Sequence, residues 1–228
     1  MGKDRAIMTG LFIQKAYADV IASEPGKENA MAVAMKKGEN RNDFVTERWH
    51  QQAKEIQKFG AVVKDLPHPL DEKVRAQMCE KLNQLLADSI ALRDMYKKHH
   101  WQVSGPTFYQ LHLLFDKHFD EQVEIVDAIG ERIQLLGGVA IAMGGDVAEM
   151  TRITRPPRGR EEVPVQIARL LEAHKSIMQD CHAIAEAADK AGDDGTNDLV
   201  VSDVLRPNEL QAWFIGQHLV KMPLTEAE

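Results

Sequence analysis

HHWQVSGPTFYQLHLLFDKHFDEQVEIVDAIGERIQLLGG, residues 99 to 138, holds a helix break followed by a long apolar run at helical spacing. Ser104-Gly105-Pro106 breaks any helix that reaches it, because a proline pushes the preceding residue out of the helical region. From Thr107 a new helix is expected, since Phe108, Leu111, Leu114, Phe115, Phe119, Val123, Val126, Ile129, Ile133 and Leu136 recur at helical spacings. Gly137-Gly138 supplies its C-terminal stop.

The same helix carries His112 and Asp116 four residues apart, and Asp127 and Glu131 four residues apart. At about 100° per residue these side chains point at roughly 0°, 40°, 60° and 100°, so they share one face. Along the axis the outer two are about 28 Å apart at a rise of about 1.5 Å per residue, too far for one ion. A twofold axis that lays the helix antiparallel to its copy would bring His112 and Asp116 of one subunit against Asp127 and Glu131 of the other. His100, near the end of the preceding helix, adds a donor beside His112 and Asp116. Imidazole and carboxylate donors with open positions suit iron, with zinc as the competing metal. Either pair alone is commonly a solvated helix face. Five donors among Leu, Phe and Ile on a stripe expected to be buried are costly unless something binds them.

Upstream, Pro67-His68-Pro69 disfavours helix, and Asp71 follows as a cap for a long helix through Val74, Met78, Leu82, Leu85, Leu86, Ile90 and Leu92 to about Val103. Residues 139 to 162 form a connection with a short helix near Asp146 to Arg152. A third long helix is expected over Pro164 to Ala191, a loop over Gly192 to Thr196, and a fourth helix over Asn197 to Val220, kinked or broken at Pro207. Four long helices with one long connection in the middle give an all-α, ferritin-like four-helix bundle with a short helix in the crossover. The bundle is expected over residues 71–222, with an N-terminal extension over 1–70 and a short tail over 223–228. The extension has mixed charge and short helical patterns such as Phe44 to Phe59. Its one Glu-x-x-His, Glu47 to His50, reads as chance or, with Glu55, as an accessory metal site.

The formal charge of −7 argues against a surface that grips nucleic acid all round. Residues 1 to 60 carry ten Lys or Arg against eight Asp or Glu, about +2, which leaves about −9 for the rest. Cys79 and Cys181 lie far apart with no metal-ligand spacing around them, so a disulfide framework is not expected and a reducing cytoplasm fits. The apolar run from Ala6 to Ile13 is too short to span a membrane.

His100-Trp101, Gly105-Pro106, Phe108, Leu111-His112, Phe115-Asp116, Asp127, Glu131-Arg132 and Leu136-Gly137-Gly138 together resemble the signature of the Dps family, the DNA-binding proteins from starved cells. The likeness runs over about residues 75 to 220 and includes Trp213-Phe214. It implies inter-subunit ferroxidase ligands at His100, His112 and Asp116 from one subunit and Asp127 and Glu131 from its partner. It also implies a twelve-subunit shell that oxidises iron(II), preferably with hydrogen peroxide and otherwise with oxygen, and stores the ferric mineral against oxidative stress. Trp101 would lie beside the metals or fill core, and Lys97 would pair with the carboxylates or stand as an exposed charge. Asp194 and Asp198 resemble the lining of the family's acidic threefold pore, although a turn and a helix cap explain them too. His99, His118, Asp120, Glu121 and Glu124 match no ligand position.

The expected location is cytoplasmic, and nucleoid-associated if DNA is bound. The alternative function is DNA compaction by tails carrying Lys3, Arg5, Lys15, Lys27, Lys36, Lys37 and Arg41, which the interspersed acids and the negative body disfavour.

Overall fold

The computed structural model describes residues 54–220. Among them every regular element is helical: α1 (Glu72–Gln102), α2 (Phe108–Leu135), α3 (Gly144–Met150), α4 (Val163–Ala191), α5 (Asp194–Asp198), a π-helical stretch (Leu199–Leu205), α6 (Arg206–Gly216) and a closing 3-10 turn (Gln217–Leu219). α1 packs on α2 and α4, and α4 packs on α6 and the π stretch, which closes a four-helix bundle. Leu82, Leu85, Leu92, Phe115, Ile129, Ile133, Ile177, Val204 and Ile215 are fully or almost fully buried at its centre. Cys79 and Cys181 are buried free thiols.

Helix ends follow the sequence closely where a cap or a glycine sets them. The Asp71 carboxylate accepts from the Lys73 amide at 2.8 Å and starts α1. Gly137 closes α2 with φ 79°, a conformation other residues avoid. At Gly138 a Cβ would sit 2.5 Å from Cys79 Sγ, so the second glycine is there to let α1 and the end of α2 touch.

Three expectations need correction. The acidic loop is shorter than its sequence implies, because buried Asp193 caps Thr196 and starts helix at Asp194 rather than Asn197. Of the kink or break expected at Pro207, the break does not occur. The proline's missing N–H and its ring disturb the ladder one turn back, and the chain answers with the π stretch Leu199–Leu205, after which α6 continues. The helical pattern over Phe44 to Phe59 fails where it is described, since residues 54–59 are not helical. Its remaining part, the tail lysines and arginines named above, Glu47, His50 and residues 223–228 lie outside the described residues.

The long connection is fixed by polar side chains of α1. Asn83 clamps the crossover through the Val139 carbonyl and the Ile141 amide, each at 3.0 Å. Buried Asp88 accepts from Thr151 Oγ1 at 2.8 Å and from the Arg152 amide at 2.7 Å. At the start of the bundle Arg75 donates to the carbonyls of Val63 and Leu136, which fastens residues near Val63 to the end of α2.

Candidate metal centre

His100 and His112 face each other across the junction of α1 and α2. His100 Nδ1 lies 2.7 Å from the His112 carbonyl, and His112 Nδ1 lies 2.9 Å from the His100 carbonyl. A carbonyl only accepts, so each ring carries its proton on Nδ1 and leaves Nε2 with a free lone pair. The rings stack with centroids 3.8 Å apart, and Phe108 covers His112 from 5.1 Å. Two backbone carbonyls therefore set tautomer and orientation together, as the supporting shell of a metal ligand does.

Asp116 stands one turn after His112, with Oδ1 3.7 Å from His100 Nε2 and 2.5 Å from Lys97 Nζ. The hydrogen bond from Lys97, helped by the charge of its ammonium group, holds the Asp116 carboxyl below the usual carboxylate range. Lys97 is in turn placed by Phe119, whose ring centroid is 4.0 Å from Nζ.

Asp127 and Glu131 are exposed about three and four turns beyond Asp116 on the same helix. Among the described residues no three His, Cys, Asp or Glu side chains close into a metal-holding group within one chain. The face carrying the donors is turned away from the bundle: the buried positions of α2 are Leu111, Phe115, His118, Gln122, Ile125, Ile129 and Ile133. At about 100° per residue these centre roughly 145° from the donor face. The donors are expected on a stripe that should be buried, and this chain alone does not bury it. The apolar residues on that outward face are instead left uncovered, with Tyr109 68%, Leu113 49% and Val123 38% exposed. Trp101, 71% exposed, does not fill the core of this chain.

Asp194 and Asp198 are exposed, and Ser202 Oγ donates to Asp198 Oδ1 at 3.0 Å. Their neighbour Asp193 is different, being buried and bridged to Arg132 Nη2 at 2.5 Å and to Thr196 Oγ1 at 2.6 Å. Arg132 directly follows Glu131, so one ion pair joins the donor helix to the acidic loop. Neither Arg132 nor Asp193 stands out by spacing, because their partnership spans sixty-one residues of sequence.

Apart from His99 and His118, which match no ligand position, the polar residues at the centre of the bundle are not singled out by the sequence. Tyr96, His99, His118, Gln122, His174, Asn208 and Gln211 come from four different helices and are all buried. Their spacing along each helix is that of core, which is the only signal that marks them.

The ferritin-like domain family model matches residues 79–225. DpsC from Streptomyces coelicolor superposes with a TM-score of 0.73 at 54% identity, covering 76% of this chain and 100% of that one. An archaeal Dps homologue from Halobacterium salinarum superposes with a TM-score of 0.72 at 25% identity, covering 77% of this chain and 97% of that one. A nutrient stress-induced DNA-binding protein of Nostoc sp. is 36% identical over 75% of this chain and 91% of its own length.

Proposed function

The chain belongs to the Dps family of ferritin-like proteins, and on that premise we propose that it is a ferroxidase subunit of an iron-storing cage. The observation that carries the reading is the pair of imidazoles whose Nε2 atoms are freed by reciprocal carbonyl bonds beside an ionised Asp116.

Iron(II) is the substrate. His100, His112 and Asp116 of one subunit and Asp127 and Glu131 of its partner hold it, and the oxidant is hydrogen peroxide in preference to oxygen. Two ferrous ions give one electron each, the peroxide O–O bond breaks, and two protons complete two molecules of water. The neutral imidazoles bind the ferrous ion without adding charge, and the carboxylates favour the ferric product. Asp116 is freed for the ion when Lys97 swings away. The cage is a cytoplasmic homo-oligomer of twelve subunits, Asp194 and Asp198 draw iron(II) in through an acidic pore, and Trp101 stands beside the metals.

The double change His112→Ala/Asp116→Ala tests the reading. Fast ferrous oxidation, followed by the rise of ferric absorbance after peroxide is mixed in, is expected to vanish while the particle keeps its size. Parental rates in that variant would overturn the assignment.

A second reading has the support of the Nostoc relative's name, which describes a DNA-binding protein. In it, tails carrying Lys3, Arg5, Lys15 and Lys27 gather phosphates by multivalency. A gel shift at low salt that disappears at moderate salt is its expected signature, and no shift at low salt removes it.

A further inference from the structure

A buried hydrogen-bond chain that the metal centre does not use lies one helical turn before His100. The Tyr96 hydroxyl is 2.5 Å from His174 Nε2 and 3.2 Å from His118 Nδ1, and His174 Nδ1 is 2.8 Å from Asn208 Oδ1. These contacts fix the protons. Asn208 Nδ2 donates to the Val204 carbonyl at 2.7 Å, so Asn208 Oδ1 is an acceptor, and His174 must carry its proton on Nδ1. His174 Nε2 is then bare and accepts from the Tyr96 hydroxyl, whose oxygen in turn accepts from His118 Nδ1–H. Gln122 donates to Asn208 Oδ1 and to Gln211 Oε1, and Gln211 donates to Glu121 Oε2 at 2.9 Å, which extends the chain to a carboxylate at the bundle surface.

A phenol aimed at a bare imidazole nitrogen can give up its electron and its proton together. Other routes are closed to it. Burial holds the Tyr96 hydroxyl well above its ordinary value, so a phenolate does not form first. Burial also lowers His174 to about 3, so its Nε2 stays free to accept. The path to the iron is short: Tyr96 precedes His100 by four residues, about 6 Å of helical rise. Its ring centroid is 6.0 Å from that of Phe115, which directly precedes Asp116.

We propose that Tyr96 is a one-electron donor to the oxidant at the neighbouring iron centre, with His174 Nε2 taking its phenolic proton. The inference rests on the ferroxidase reading and concerns the moment when a centre holds a single ferrous ion. Iron(II) supplies one electron to hydrogen peroxide and Tyr96 supplies the second. The O–O bond breaks, two solvent protons complete two waters, and the protein is left with a neutral tyrosyl radical and a His174 imidazolium. The Asn208 carbonyl oxygen, accepting from His174 Nδ1–H, favours that positive charge. A second ferrous ion then returns an electron to the radical, His174 returns the proton, and the pair is restored. Without this donor, one-electron reduction of peroxide releases hydroxyl radical.

The full assembled protein, loaded with one ferrous ion per centre and mixed with hydrogen peroxide, is frozen rapidly for electron paramagnetic resonance. A radical that narrows when the protein carries ring-deuterated tyrosine is expected, and Tyr96→Phe should abolish it. Spin-trapped hydroxyl radical should rise several-fold in Tyr96→Phe and in His174→Gln, and His174→Gln should also change the solvent deuterium effect on radical formation, which a purely structural role leaves alone. Normal ferrous oxidation with an undiminished tyrosyl signal in Tyr96→Phe, or a radical that maps to Trp101 or Tyr109, overturns the assignment. Ferrous iron left unoxidised in the parent protein instead refutes the ferroxidase reading, and this inference with it. If either core variant fails to assemble, light-driven one-electron oxidation of the iron-free protein carrying Tyr17→Phe and Tyr109→Phe, which leaves Tyr96 as the one tyrosine, still decides the inference: a tryptophanyl radical there counts against it, and a tyrosyl radical whose formation shows a solvent deuterium effect supports it.

Discussion

Among single residues, Lys97 decides how Asp116 meets a cation. It competes with any cation for Asp116, so Lys97→Met is expected to tighten binding of zinc(II) as a probe by up to roughly fivefold, about the worth of one exposed ion pair. Titration calorimetry on the iron-free particle measures it, and weaker binding would mean that Lys97 orients Asp116 for the metal rather than competing with it. The candidate ligands stand out in the sequence because histidines and carboxylates at four-residue intervals on an apolar helix are chemically out of place. Their tautomers do not, since these depend on each ring meeting a carbonyl of the other helix.

The buried histidines make a separate prediction. Burial is the main cause that lowers His99 and His118 to about 4 and His174 to about 3. The unfolded chain, with ordinary values near 6.5, takes up protons first. Stability from these groups is therefore complete above about pH 6.5 and drains as pH falls towards the folded-state values, at up to about 1.4 kcal/mol per pH unit for each group. Both ring nitrogens of His99 lack a hydrogen-bond partner. His99→Leu should accordingly keep or raise stability at neutral pH and flatten its decline in acid. Denaturant midpoints compared across that range provide the check, and an unchanged slope would show that His99 is not among the groups that titrate on unfolding.

Between elements, the decisive tie is the one from α2 to the acidic loop. Arg132 neutralises a carboxylate that is otherwise out of water, so Arg132→Ala is expected to cost about 3 kcal/mol or more by leaving Asp193 unpaired. Gly195 belongs to the same tie, because a Cβ there would meet the Arg132 guanidinium at 2.9 Å. Gly195→Ala should push Arg132 aside and give a smaller loss, about 1 kcal/mol. Thermal unfolding ranks the two, and equal losses would mean that the alanine ejects Arg132 altogether. Helix order, the crossover and the glycine stops could all be read from the sequence, since each has a local cause. The helical start at Asp194 and the π stretch before Pro207 could not, because the first depends on Arg132 reaching Asp193 and the second on how the chain repairs a lost hydrogen bond.

For the whole molecule the question is whether one chain suffices. The donors on α2 point outward, and Tyr109, Leu113 and Val123 share that face while remaining exposed. Such a face favours cover by another copy of itself. If a twofold axis supplies it, each centre takes His112 and Asp116 from one subunit and Asp127 and Glu131 from the other. Two inactive proteins then repair each other. A chain with His112→Ala/Asp116→Ala paired with a chain carrying Asp127→Ala/Glu131→Ala forms one complete centre and one doubly damaged centre per mixed dimer. Random co-assembly makes half the dimers mixed, so about a quarter of the parental ferrous oxidation should return. Co-refolding equal amounts and measuring oxidation per particle tests this. Should the mixture stay as inactive as its parts while forming particles of normal size, the two halves of the donor set do not meet across subunits, and the centre cannot be shared in this way.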